Sequence, residues 1–322
     1  MKKVTVLGGG TGSFVILSGL KHHQYDLSAI VTMMDSGGST GRLRDQLGVL
    51  PPGDLRQCLV ALSEAPDLWR KLFLYRFENG DLDGHNFGNI FLSALEKVSD
   101  NYNEVVKSAE KILHTKGSVI PVTMEKAHLC VKHENGTIIK GEGIIDENYT
   151  EQSKIVEAFL EPKINANPRA IKRIQNSDVI IIGPGDLYTS IIPVLLVDNI
   201  KQALMSSKAK IIFVMNLMTK SGQTTNYTAQ DYIDDLQIYL GRVPDDVLVN
   251  NGEIPSDILQ WYKSHHEYVV SNNLKSNYSM NVILEDVVDK TTVQLSASDK
   301  LSRSILRHSS DKLAQIISQI IT

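Results

Sequence analysis

Four times along this chain, a run of β-branched and other apolar residues ends abruptly in a loop of small polar residues. Val4-Thr5-Val6-Leu7 gives way to Gly8-Gly9-Gly10-Thr11-Gly12, and residues 27–33 to Asp35-Ser36-Gly37-Gly38-Ser39-Thr40-Gly41-Arg42-Leu43-Arg44. Residues 178–182 run into Gly183-Pro184-Gly185-Asp186-Leu187-Tyr188-Thr189-Ser190, and 210–215 into Asn216-Leu217-Met218-Thr219-Lys220-Ser221-Gly222-Gln223-Thr224. Nearly continuous apolar runs mark strands covered on both faces. Phe14, Ile16, Leu17 and Leu20 add a helix of crossover length between the first two. The repetition predicts an α/β fold, a Rossmann-like, mostly parallel sheet with helices on both faces. In such sheets ligands bind beyond the carboxyl ends of the strands, so the four loops predict one composite, nucleotide-sized cleft.

The rest of the chain fills in this frame. Helices are predicted over 55–64, with Asp54 as N-cap, and over 88–98, 104–114 and 228–240. Leu313, Ile316, Ile317, Ile320 and Ile321 form one apolar stripe on a closing helix at about 310–321. Between 117 and 145, Val/Ile/Thr-rich runs flank Asn135-Gly136, which predicts a β-hairpin subdomain inserted into a single domain spanning residues 1–322. With 33 basic against 37 acidic residues the net charge is −4, which excludes a global field drawing the chain to nucleic acid or an anionic membrane. Any anion site must be local. The most apolar stretch, 178–197, is broken by Gly183-Pro184-Gly185-Asp186 and Pro193, so no membrane insertion is expected. Cys58 and Cys130 form neither a zinc pattern nor a disulfide framework, and a cytoplasmic location is expected.

Within the loops, Gly9, Gly10, Thr11 and Gly12 let backbone N–H groups approach a phosphate ahead of a helix N-terminus. Ser13 stands where a full dinucleotide fingerprint has glycine, and the Lys-Ser/Thr pair of a P-loop is missing. Asp35 sits where a ribose-binding acid is expected, but Gly38, Ser39, Thr40 and Arg42 after it read as an anion nest with a guanidinium clamp. Arg56, in a first helical turn, is expected to answer a carboxylate or a ligand. His85, Asn86 and Asn89 offer a polar edge at another helix start, and His22-His23 and His265-His266 read as surface pairs. No hydrolase triad, zinc helix or glycosidase carboxylate pair can be singled out.

These loops, in this order, resemble the YvcK/CofD-like family, also called the gluconeogenesis-factor family. The resemblance runs from Gly8 to Arg307-His308. It implies one of two roles. The first is a bacterial cytosolic factor for growth on gluconeogenic carbon sources and for cell shape, binding UDP-sugars such as UDP-N-acetylglucosamine. The second is the chemistry of 2-phospho-L-lactate transferase, which moves a phospholactyl group from a guanosine diphosphate carrier to a deazaflavin. On the first reading Gly8 to Gly12 and Ser39 to Arg42 cradle the diphosphate and Asp35 meets a ribose or sugar hydroxyl. Gly183, Gly185, Asp186, Tyr188, Thr189, Asn216 and Thr219 extend the site, and Tyr262 and Arg307 contact the nucleotide. Asp35 is also the candidate catalytic or Mg²⁺-binding residue on the second reading, which Ser36 counts against because the family often has a second aspartate there. The family often has serine where this chain has Asp186. No cofactor is required on the first reading, and NAD or GDP remain alternative ligands. A homodimer and a regulatory partner in cell-wall synthesis are the other expectations.

Overall fold

The structure, a computed structural model, describes residues 1–148, 153–277, 279–289 and 304–321. The chain opens as strand β1 (Lys3–Gly8), helix α1 (Gly10–Leu20) and strand β2 (Asp26–Val31). Five helices follow: α2 (Gly38–Leu47), α3 (Gly53–Leu62), α4 (Asp67–Leu74), α5 (Phe87–Val98) and α6 (Tyr102–Ile112). After β3 (Ser118–Pro121) comes an excursion of β4 (His128–His133), β5 (Ile138–Lys140), the short α7 (Glu142–Asp146) and β6 (Ile155–Glu161). The chain then runs α8 (Pro168–Gln175), β7 (Val179–Ile182), α9 (Ile192–Leu195), α10 (Ile200–Ser206), β8 (Lys210–Val214) and α11 (Ala229–Leu240). It closes with β9 (Asp246–Asn250), α12 (Ser256–Ser264), β10 (Asn281–Glu285) and α13 (Ser310–Ile321).

Seven strands form one parallel sheet in the order β10-β9-β8-β7-β1-β2-β3. The chain builds outward from β1 through β2 to β3, then returns to the other side of β1 with β7 and proceeds to β10. The direction of winding therefore reverses between β1 and β7, where crossover helices diverge and leave a crevice. Val4, Val6, Ile180, Ile181, Ile211 and Ile212 are wholly buried, as expected of central strands covered on both faces. The closing helix is seated on α1 at Gly19, where a Cβ would come within 2.3 Å of the Ser310 carbonyl oxygen. The apolar stripe of α13 buries Leu313 and Ile317 there.

Three sequence expectations change, and one holds with an added strand. The 118–121 segment is not part of a hairpin subdomain; it pairs in parallel with β2, because its buried Val119 and Ile120 extend the main sheet. The Asn135-Gly136 turn does join β4 to β5, with Gly136 at φ +88°, and β6 adds a third antiparallel strand beside β4. The glycine-rich segment after Asp35 is helical from Gly38 onward rather than a nest of loop residues. Pro52 rather than Asp54 occupies the N-cap of α3, which leaves the Asp54 carboxylate in the first turn, where the helix dipole favours it.

Candidate functional site

Two glycines bring the loops of the switch point together. A Cβ on Gly12 would lie 1.6 Å from the Pro184 carbonyl oxygen, and one on Gly10 would lie 2.7 Å from Asp54 Oδ1. Glycine is thus required to seat the start of α1 against both the 183–186 turn and α3, whatever else its N–H groups do. The resulting cleft, of about 260 Å³, has Gly10, Thr11 and Gly12 on one side and Pro184, Gly185, Asp186 and Thr189 on another. Asn216, Thr219 and Lys220, from the loop after β8, form the facing wall. The Asn216 amide donates to the Gly185 carbonyl (2.9 Å), and its Oδ1 is buried without a hydrogen-bond donor among the described residues.

The cleft is acidic. Asp35, Asp54, Glu142, Asp146, Asp186 and Glu267 line it, against the cations Lys220 and Arg307. Lys220 Nζ stands 3.6 Å from Asp146. Crowding shows in protonation. Burial, reinforced by the Asp35 charge, pushes the Glu142 carboxyl well above the usual range, and burial moves Asp186 up to about 6 and raises Glu267. Among the described residues no three His, Cys, Asp or Glu side chains converge as a preformed metal cage.

The far rim is built from α12 and the chain after residue 303. Tyr262 is buried, its hydroxyl 2.5 Å from Ser304 Oγ and accepting the Leu306 N–H (3.0 Å). Tyr262 thus fastens the 304–306 segment at the cleft and also belongs to its lining. His308, also buried, meets the Met215 carbonyl through Nε2 (3.1 Å), and desolvation lowers its pKa to about 4. Arg307 lines the cleft as expected. His265 is exposed, as expected of a surface pair, and also borders the rim, its ring tilted against Trp261 at 4.1 Å between centroids.

Gly38, Ser39 and Arg42 lie elsewhere. They line a second cleft of about 780 Å³, between the start of α2, the 76–84 turn and the β4–β5–α7 excursion. The partition between the clefts is the loop after β2 locked to α7. The Ser36 N–H donates to Glu142 (3.0 Å), the Gly143 N–H donates to Ser36 Oγ (2.8 Å), and the Gly37 N–H donates to Asp35 (3.0 Å). The two halves of the expected diphosphate cradle, 8–12 and 39–42, therefore face different spaces, because α2 starts beyond this partition.

Other expected residues brace rather than line. Arg56 donates to Asn89 Oδ1 (2.8 Å) and the Phe73 carbonyl (3.2 Å), and Asn89 Nδ2 lies 3.4 and 3.3 Å from the hydroxyls of Ser39 and Thr40. Asn86 caps α5 by accepting the Asn89 N–H, and His85 Nδ1 meets Ser39 Oγ at 3.2 Å. This buried network ties α5 to α2 and reaches the second cleft only through Ser39. Tyr188 donates to Asp235 (2.7 Å) within the core, while Gly183, at φ +74°, shapes the turn behind the lining. Sequence reasoning missed Glu142, Asp146, Trp261 and Glu267. None belongs to a motif, and α7, of five residues, is too short to show a period.

The comparisons agree with this fold. The family model for 2-phospho-L-lactate transferase CofD matches residues 4–288. A protein of Thermoanaerobacterium thermosulfurigenes is 41% identical over 320 residues, covering 98% of this chain and 95% of its own. The gluconeogenesis factor of Bacillus subtilis is 37% identical over 322 residues, covering 99% and 98%. A crystal structure of a Bacillus halodurans protein of the UPF0052 family superposes with a TM-score of 0.88 at 35% identity, over 98% of this chain and 99% of that one. With the parallel sheet, its switch-point cleft and these full-length matches in hand, the chain belongs to the YvcK/CofD-like family of gluconeogenesis factors.

Proposed function

We propose that the protein is a regulatory factor for growth and cell morphogenesis on gluconeogenic carbon sources, and that its acidic cleft binds a UDP-sugar of the UDP-N-acetylglucosamine type. The names of its relatives support the regulatory role. The observation that carries the ligand class is the position of the cleft at the β1/β7 switch point, with the start of α1 opening into it. The Asn216 Oδ1, without a donor among the described residues, is suited to a ligand hydroxyl, and Trp261 offers an aromatic face at the rim. Six carboxylates would repel a bare diphosphate, so the ligand enters with a divalent cation. Mg²⁺ suits this site because it needs only one or two carboxylates, Asp35 first among them, with phosphate oxygens and water completing its shell.

The family model's own description favours a second reading, a group transferase acting on a nucleotide-diphosphate-activated donor. One experiment separates the two. Calorimetric titration with UDP-N-acetylglucosamine, GDP and NAD, with and without Mg²⁺, is followed by mass spectrometry of each mixture. Mg²⁺-dependent binding of the UDP-sugar, recovered intact, is the expected result. A preference for GDP or a chemically altered ligand would establish the transferase reading instead.

A further inference from the structure

The second cleft has a charge character opposite to the first. Arg42, Arg44, Arg76 and Lys140 line it, against Asp45 and Glu147, in a chain whose net charge is −4. The guanidinia of Arg42 and Arg76 are set by one turn: Arg42 donates to the Asp83 carbonyl and Arg76 to the Gly84 carbonyl, both at 2.8 Å. Arg44, half-buried, pairs with the exposed Asp45 (3.0 Å), and Lys140 pairs with Glu161 (2.5 Å), an exposed contact that is cheap to exchange for a ligand. Gly37, Gly38 and Ser39 bring the N-terminus of the ten-residue α2 to the same space. His85 and His128 both sit below the ordinary imidazole range, first through desolvation and then through Arg42 and Arg76 for His85, and Arg44 and Lys140 for His128.

We propose that this cleft is a separate binding site for a small phosphate ester, such as a sugar phosphate, distinct from the nucleotide cleft across the Ser36–Glu142 partition. Planar guanidinia match phosphate oxygens two at a time, and a helix start adds N–H donors that lack an acceptor one turn back. A volume of about 780 Å³ is within the range of small-molecule sites and is too confined for an extended acidic surface. The partition gives the site a consequence. A ligand pressing on Ser36, Gly37 and Gly143 bears on the same loop and helix that hold Asp35 and Glu142 in the acidic cleft.

The test uses the full chain without Mg²⁺, titrated with glucose 6-phosphate and, as control, glucose. Binding of the ester and not of the neutral sugar is expected, with the imidazole resonances of His85 and His128 shifting during the titration. Arg42 is exposed, so Arg42→Gln retains the fold; it should weaken the ester by about tenfold, the scale of a lost charge-assisted contact, while Lys208→Gln, the loss of an exposed cation lining neither cleft, leaves it within about twofold. No uptake at millimolar ester, unchanged affinity in Arg42→Gln, or an equal loss in Lys208→Gln overturns the proposal. The probe carries no nucleotide, so failure of UDP-sugar binding in the acidic cleft would leave this result intact.

Discussion

The two clefts share a wall and differ in nearly everything else. The acidic one sits where the sheet reverses direction, and its floor is backbone that touches backbone. The basic one sits off the sheet, between α2, a turn and an inserted excursion, and its walls are glycine and serine backbone set with long charged side chains. Position explains the difference: at a switch point the strands dictate which loops meet, whereas a peripheral cleft is assembled from whatever the insertions supply. Burial, reinforced by the neighbouring Asp35 charge, raises the Glu142 carboxyl in the first space, and desolvation, reinforced by Arg42 and Arg76, lowers the His85 imidazole beside the second.

The largest effect should come from the backbone contact that only the acidic cleft has. Gly12→Ala places a Cβ 1.6 Å from the Pro184 oxygen, neither of which can swing away. It should cost at least about 3 kcal/mol, read by denaturant unfolding, whereas a wild-type midpoint would show that the two loops can separate freely.

Next comes pH. His308 is neutral in the fold with its pKa lowered to about 4, so its stabilising contribution is complete above the unfolded value near 6.5 and is lost as pH falls through that window. The loss by pH 4 is about 3 kcal/mol. His308→Gln should remove this part of the pH dependence, as measured by unfolding at several pH values. Asp186 acts in the opposite sense. Its carboxyl is raised to about 6, so it stabilises least above that value and the penalty disappears as pH falls toward its unfolded value of 3.8. Asp186→Asn should therefore raise stability by about 1 kcal/mol at neutral pH, after allowance for partial solvent screening, and by nothing at pH 4.

Ligand affinity sharpens the comparison between these two stability effects in size. Lys220→Ala should weaken a UDP-sugar by about 1.5 kcal/mol, and Arg42→Ala should leave it within about twofold, because Arg42 faces the other cleft. Equal losses in both variants, measured calorimetrically, would mean that one ligand spans the partition. The smallest effect is spectroscopic: Arg42→Gln should move the His85 imidazole back toward its ordinary titration range without altering His308.

The strands of the sheet centre were legible because continuous apolar runs followed by glycine have few alternatives. The peripheral strands were not. The β10 sequence Asn281–Glu285 is half exposed and mixed in polarity, and the 118–121 run reads equally well as hairpin or sheet until its partner is known. Asp35, Gly10, Gly185 and Asn216 were found through the loops they occupy and Arg307 through the family resemblance, and the structure brings them into one cleft. Arg56, Asn86 and Asn89 carried the same polar signature but brace α5 against α2, since a buried hydrogen bond and a ligand contact demand the same side chains.

What the sequence alone determined is the α/β class, the central strands and the family, because alternation of apolar runs with glycine-rich loops is local information. What only the tertiary structure decided is which loops share a space. The 39–42 segment follows Asp35 by a few residues, yet α7, more than a hundred residues later, inserts Glu142 beside Ser36 and divides one expected site into two of opposite charge. Chain proximity constrains backbone position within a few residues. Charge and shape in a cleft are set by side chains that arrive from anywhere in the fold.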